Sequence, residues 1–437
     1  MALARIVVSL GLVMAAMAAR ADLAGHGGPV KAVAVGAAGQ VLSGGFDYSL
    51  IRWDVEGGRP AAILYGHDAA VNAVAMLPDG RALSAGDDGL LILWDLDDAR
   101  PVRRMEGHGG RIASLAIDPA GRTAASAGWD QTVRLWDLAS GEGRTLEGAA
   151  GNANAVAFSP DGRLVAAGGQ DGFVRIWRVG DGTLERSLEA GGLAVNGLAF
   201  TGPDGLAAVG TDGGLRQWRL PHGEPIRTVA LGPLPALALA AAPGTGVLAI
   251  GGVDGTVSIV SASGERLRRI SAHRGAAWGL AFDPAGRTLY TGGADGLVRI
   301  WDAGTGDELG PPARAPGPAT APRVALAPWG ASAGQDRGAV LFRRCVACHT
   351  VEPDGANRAG PTLYGIFGRK VGTLDGYPYS PALRTLDFVW TPEKVDELFG
   401  LGPHIVTPGS KMPVQVIGDP EERRALVRWL EQQTRPR

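Results

Sequence analysis

A tryptophan recurs every 41 or 42 residues through the first two-thirds of this 437-residue chain. Trp53, Trp94, Trp136, Trp177, Trp218 and Trp301 carry the series, with Val260 standing in once. Six residues before each anchor lies an acid: Asp47, Asp88, Asp130, Asp171, Asp212, Asp254 and Asp295. Self-similarity at this period means a solenoid or a propeller, and strand signals within each copy select the propeller. In the second copy Val71 to Leu77 reads as a strand, Pro78-Asp79-Gly80 as a turn and Arg81 to Ala85 as the next strand. Asp88-Gly89 then makes a tight hairpin turn before Leu90 to Trp94. The 68 glycines fit a chain of many turns and short strands. One four-stranded sheet cannot bury both faces, but seven packed around an axis can, so the copies depend on one another.

Residues 22–309 resemble the WD-repeat propeller family. Gly-His opens the first three copies at His26, His67 and His108, Ala272-His273 opens the seventh, and Trp-Asp closes those same four. The resemblance implies a buried His–hydroxyl–Asp–Trp chain in each: His26, Ser43, Asp47, Trp53; His67, Ser84, Asp88, Trp94; His108, Ser126, Asp130, Trp136; and His273, Thr291, Asp295, Trp301. Copies four to six put Ala149, Gly191 and Gly232 where the histidine belongs, and Ala167, Ala208 and Ile250 where the hydroxyl belongs. Joint loss follows if each group is useful only while the other satisfies it. The four histidines are therefore structural, which leaves His222 in a loop as the propeller's remaining imidazole. With no nucleophile elbow, phosphate loop or carboxylate pair, the propeller reads as a protein-binding platform.

The N-terminus reads as an export signal. Arg5 precedes an apolar run from Ile6 to Met17, and Ala19-Arg20-Ala21 gives a small-x-small cleavage site, so residues 1–21 form a signal peptide cleaved near Ala21. The run is too short to span a bilayer and does not recur, which predicts a periplasmic mature chain without a membrane span. Net charge is only −2, so no field favours nucleic acid, although residues 22–309 carry 24 basic and 32 acidic groups against 14 and 12 in residues 336–437. Residues 310–335, rich in proline and alanine, read as a semi-extended linker.

Beyond the linker, a helical pattern from Asp336 with Val340, Leu341 and Phe342 runs into Cys345-Val346-Ala347-Cys348-His349, which holds both cysteines of the chain. One helical turn presents two thiols to the two vinyl groups of a haem, and the adjacent imidazole then reaches the iron. Zinc would need four ligands and no second cysteine pair exists; a thiol–disulfide site would need a βαβ context that is missing. The expectation is one haem c, covalent through Cys345 and Cys348, with His349 on the metal. Of six methionines only Met412 lies beyond the propeller, and a soft thioether opposite imidazole suits an electron carrier. His404 is the competing ligand. Pro420 to Gln433 reads as a helix with proline first, Glu421 and Glu422 in its first turn, and Leu426, Trp429 and Leu430 inward. It should cross the first helix near Gly338 and Phe342.

Residues 336–437 resemble the class I monohaem cytochromes c. The match runs through Gly360-Pro361-Thr362-Leu363-Tyr364-Gly365, Phe367-Gly368-Arg369-Lys370, Gly376-Tyr377-Pro378-Tyr379-Ser380 and Val389-Trp390-Thr391. The expected architecture is thus an all-β seven-bladed propeller followed by an all-α class I cytochrome c domain. The resemblance implies that the Pro361 carbonyl accepts from His349, that Arg369, Tyr379 and Trp390 bind a haem propionate, and that Ser410 supports the Met412 loop. It also implies a basic rim of Arg343, Arg344, Lys370 and Lys411 that steers acidic redox partners. Leu383 and Leu398 depart from the family's polar positions near the haem, and the methionine loop is one residue longer. The leading expectation is an electron carrier with a redox protein as donor or acceptor and a second protein on the propeller. The alternatives are a nitrite-reductase-like enzyme with a second cofactor in the propeller and a redox-sensing scaffold.

Overall fold

The computed structural model describes residues 22–310, 322–326, 336–342, 345, 346, 348–358, 360–410, 412, 417 and 420–436. Residues 1–21, where the sequence leads one to expect a signal peptide, most of the linker, Arg343, Arg344 and Lys411 lie outside the described residues.

Residues 22–309 form seven sheets, each an antiparallel meander of four consecutive strands except at the two ends. The second sheet, for example, comprises Val71–Met76, Ala82–Gly86, Leu91–Asp95 and Arg100–Met105 in that order. The ring closes where the chain's beginning meets its seventh blade. Leu23–Ala24 pairs with Leu297 and Val298 as the outer strand there, while Glu308 joins Trp301 by an isolated β-bridge. A full outer strand after Trp301 is what the repeat predicts, and the seam replaces it with two short pieces from opposite ends of the repeat region. Asp22 reinforces it through Arg299, at 3.1 Å.

Apolar burial explains why the blades need each other. The propeller has seven apolar clusters, and every one straddles two neighbouring sheets. Leu42, Leu50 and Leu64 of the first blade meet Val71, Ile92 and Trp94 of the second. Leu23, Tyr290 and Val298 of the seventh meet Val33, Ile51 and Trp53 of the first, which completes the circle. No blade owns a core, so removing one exposes two faces.

Within four blades the expected polar chain is present. In the second, Trp94 Nε1 donates to Ser84 Oγ at 2.8 Å, Ser84 to His67 Nε2 at 2.7 Å, and His67 Nδ1 to the Asp88 carboxylate at 2.9 Å. The other three match within a tenth or two of an ångström. Burial alone would raise the pKa of Asp88, but hydrogen bonds and charge from His67 outweigh it and hold the carboxyl low. That contribution is present above the unfolded carboxylate range and is lost as pH falls through the lower native value. Ser84→Ala leaves His67 Nε2 and Trp94 Nε1 buried without partners and should cost about 1–3 kcal/mol; urea unfolding of the two proteins measures it.

Two of the three blades without histidine set the arginine two residues before their tryptophan against the blade aspartate. Arg175 and Arg216 pair with Asp171 and Asp212 at 2.5 Å. A Cβ on Gly191 would fall 2.4 Å from Arg216 Nη2, so this guanidinium occupies the space that the histidine leaves. Trp177 finds the Glu147 carbonyl instead of a hydroxyl, at 2.8 Å. An arginine two residues before the tryptophan is not by itself a signal of this, since Arg134 and Arg299 hold the same place in blades that keep their histidine, and Arg299 also pairs with its blade aspartate, Asp295, at 2.7 Å.

The linker holds a strand that its composition hides. Arg323–Leu326 adds in parallel to Arg59–Tyr65, the outer strand of the first blade, as a fifth strand.

The C-terminal domain contains α1 (Arg337–Phe342), α2 (Pro381–Thr385), α3 (Pro392–Leu401), α4 (Pro403–Val406) and α5 (Pro420–Gln433). Asp336 accepts from the Gly338 amide at the start of α1. The α1–α5 crossing is where the spacing predicts it: the Phe342 and Trp429 rings sit 4.7 Å apart. A Cβ on Gly338 would lie 2.2 Å from Trp429 Cβ, so only glycine lets these helices approach so closely. Leu341, Phe342, Cys345, Val395, Phe399, Ile417, Leu426, Val427 and Leu430 form the core, and Met412 and Trp390 pack on it.

Candidate functional site

The end of α1 delivers the two thiols. The His349 and Cys348 amides both donate to the Cys345 carbonyl, at 2.8 and 3.1 Å, so one tight turn carries Cys345, Cys348 and His349. Cys345 is buried in the apolar core and Cys348 is half-exposed. Burial pushes the Cys348 thiol up to about 11, with the Asp47 carboxylate adding to the rise and Arg358 opposing it.

His349 is oriented by the following loop. Its Nδ1 lies 2.7 Å from the Pro361 carbonyl, which fixes the proton there and leaves Nε2 as the basic nitrogen. Burial lowers its pKa, against the Pro361 bond, so the imidazole stays neutral at pH 7 and fit to ligate a metal. The loop is itself tied down, with the Gly360 amide on the Cys348 carbonyl at 2.8 Å and Leu363 on Thr350 at 2.8 Å. A Cβ on Gly360 would sit 2.3 Å from His349 Cε1. Gly360→Ala must therefore displace the ring or the loop. The expected result is a protein that keeps its covalent pigment but shows a mixed-spin ferric spectrum, read by visible absorption at neutral pH.

Met412 is half-buried against the core, and its amide donates to Ser410 Oγ at 3.0 Å, so Ser410 does shape this loop. Ser380 was not singled out by sequence reasoning, yet it fastens the same loop. Its hydroxyl donates to the Gly409 carbonyl at 3.0 Å while capping α2 through the Leu383 amide. A serine directly before Pro381 was the legible signal. The side chain of His404 lies outside the described residues.

The three residues expected at a propionate meet in part. The Trp390 amide donates to the Arg369 carbonyl at 2.9 Å, which sets the two side by side, and Arg369 also faces the Tyr379 hydroxyl. The Arg369 guanidinium, however, is already engaged with the carbonyls of Thr362, Gly365 and Tyr364. It clamps the loop that orients His349. Of the expected basic rim, Lys370 is the member within the described residues, and it pairs with Asp387 at 2.8 Å. An exposed pair of this kind is worth little.

These residues suit a haem: two thiols one turn apart, a neutral imidazole with its tautomer set by a carbonyl, and a thioether against an apolar wall. The class is therefore a haem-binding electron-transfer domain joined to a WD-repeat propeller. Residues 335–434 match the cytochrome c family, and residues 58–95, 99–137, 141–178 and 264–302 match the family of the WD domain, G-beta repeat. Cytochrome c of Gibberella zeae is 38% identical over 100 residues, which is 23% of this chain and 93% of the fungal one. Cytochrome c of Arabidopsis thaliana is 38% identical over 102 residues, 23% of this chain and 88% of the plant protein. Cytochrome c2 of Blastochloris viridis is 34% identical over 103 residues, 23% of this chain and 80% of its own length. The chain belongs to the cytochrome c family through this C-terminal domain, and its domain indicates haem c and electron transfer through it.

Proposed function

We propose that this chain is an exported, periplasmic electron carrier with a single haem c bonded through Cys345 and Cys348, and that its propeller docks a protein partner. Bound haem supplies one-electron storage; the protein's part is to hold, orient and insulate it. His349 would hold the iron of a bound haem, kept neutral by burial and aimed by Pro361. Met412 would supply the second iron ligand, presented by a loop that Ser380 and Ser410 stiffen. Arg369, Tyr379 and Trp390 stand together on the side assigned to a propionate, with Arg369 also bracing the histidine loop.

The observation that carries this reading is the His349–Pro361 bond, because it sets the tautomer that metal ligation requires. A second cofactor in the propeller finds no comparable support. His26, His67, His108 and His273 are consumed in blade closure, and among the described residues no cluster of three His, Cys, Asp or Glu is placed to hold a metal ion. Among those residues, too, no helix is long and apolar enough to cross a membrane.

The purified chain should contain one iron and show a low-spin spectrum with a methionine-to-iron absorption band in the ferric state. A stable high-spin ferric form at neutral pH, or more than one iron per chain, would overturn the carrier reading.

A further inference from the structure

The linker strand and the haem-binding turn touch the same blade. Arg323–Leu326 extends the first blade in the register Arg323 to Ala62 through Leu326 to Tyr65. Arg323 also reaches the Asp97 carbonyl of the neighbouring hairpin at 2.9 Å. From the same blade, the Gly27 carbonyl lies 3.6 Å from Cys348 Sγ. Gly28 beside it packs on Phe46, where an added Cβ would be 3.4 Å away. Phe46 in turn is 38% exposed and stacks on Trp278 with ring centres 5.6 Å apart.

We propose that the 26–28 loop and the Phe46–Trp278 pair form a docking site for the chain's own haem domain. In the docked state the porphyrin edge carried by Cys348 is turned against the propeller and shielded from protein partners. The inference rests on the haem reading above. Its chemistry is simple: the vinyl-derived carbon bonded to Cys348 Sγ belongs to the periphery of the macrocycle, so whatever touches this sulfur borders that edge.

Tether length strengthens the contact. Without the strand, the haem domain would hang from Leu309 by 26 residues, 310–335. With it, only residues 327–335 intervene, a reach of roughly 35 Å when extended. Short tethers give effective concentrations in the millimolar range, enough to populate even a weak contact. Formal charge acts in the same sense, with 24 basic and 32 acidic groups in residues 22–309 facing 14 and 12 in residues 336–437. A partner then meets the haem edge only in the undocked fraction, and its apparent rate is reduced by that fraction.

Two full-length, haem-loaded variants test this. Val324→Pro with Ala325→Pro removes adjacent amides from the strand, so pairing fails whichever of them donates. Inserting twenty Gly-Ser residues after Gly334 leaves every contact intact but dilutes the domain about fivefold. Hydrogen exchange should show amide 28 and the ladder-facing amides among 323–326 protected in the parent; in the proline variant, where residues 324 and 325 carry no amide hydrogen, amide 28 should exchange freely, while amide 27 stays protected by Asp47 in both. Oxidation by a soluble blue-copper protein should quicken by up to about fivefold in both variants, since losing the strand and inserting twenty residues lengthen the tether by similar amounts, while oxidation by ferricyanide stays constant. Parent-like rates with the copper protein in both variants, or an unprotected amide 28 in the parent, would overturn the docking. A parent that lacks low-spin haem but retains that protection would instead overturn the carrier reading alone.

Discussion

Exchanging Cys345 and Cys348 together for alanine leaves a chain from which acid–acetone strips all pigment, with helix content in residues 336–437 greatly reduced. Among the described residues the core of this domain is modest: nine buried side chains, Cys345 one of them, with eight partly buried ones, Met412 and Trp390 included, at its margin. A domain of about a hundred residues with one modest cluster is marginal by itself. Covalent haem adds a large apolar body to that cluster and ties α1 to the histidine loop, so its loss removes binding and folding free energy together. The propeller should be indifferent, since its seven clusters are shared only among blades. Circular dichroism with visible absorption checks both halves. Retained pigment after extraction, or loss of the propeller's transition as well, would contradict this assignment.

Met412→Ala has the second largest expected effect, and it is confined to the iron. The variant keeps its covalent haem, because neither thiol nor His349 is touched, but it becomes high-spin at neutral pH and binds cyanide readily. Its potential falls, since a thioether favours ferrous iron and water does not. Loss of the side chain should barely alter the loop, whose Met412 amide and Gly409 carbonyl bonds are made by backbone atoms to Ser410 and Ser380. An unchanged low-spin spectrum would transfer the ligand role to another side chain, with His404 the first to replace.

Repetition made the propeller legible. Seven aspartates and six tryptophans at one spacing narrow the fold to a solenoid or a propeller, and the strand signals within each copy then select the ring, in which no copy has to bury both its faces alone. The haem turn was equally plain, since C-x-x-C-H compresses two attachment points and a ligand into five consecutive residues. Departures from the repeat were harder to read. The outer strand of the seventh blade comes from Leu23–Ala24, nearly the whole repeat region away in sequence. Arg323–Leu326 is four residues flanked by proline-rich sequence and becomes a strand only because the first blade offers an open edge. Nothing in the sequence signals that Arg216 fills the space beside Gly191, because an arginine at that place also occurs in blades that keep their histidine.

In the candidate site, short-range roles were visible and shared ones were not. Pro361 and Ser410 bond to the neighbours expected of them. Arg369 carries a propionate assignment by resemblance, yet its guanidinium also braces Thr362, Gly365 and Tyr364. A motif names the residue and says nothing of how many partners the fold gives it. Gly360 and Gly338 belong to the same group, since their importance lies in a ring and a helix that only the folded chain brings near.

The decisive measurement is the intact mass of the purified polypeptide after acid–acetone extraction. A porphyrin joined to Cys345 and Cys348 predicts a mass greater than that of the processed chain by one haem, with the pigment still on the protein. A bare polypeptide mass with colour in the solvent would contradict the account at its root.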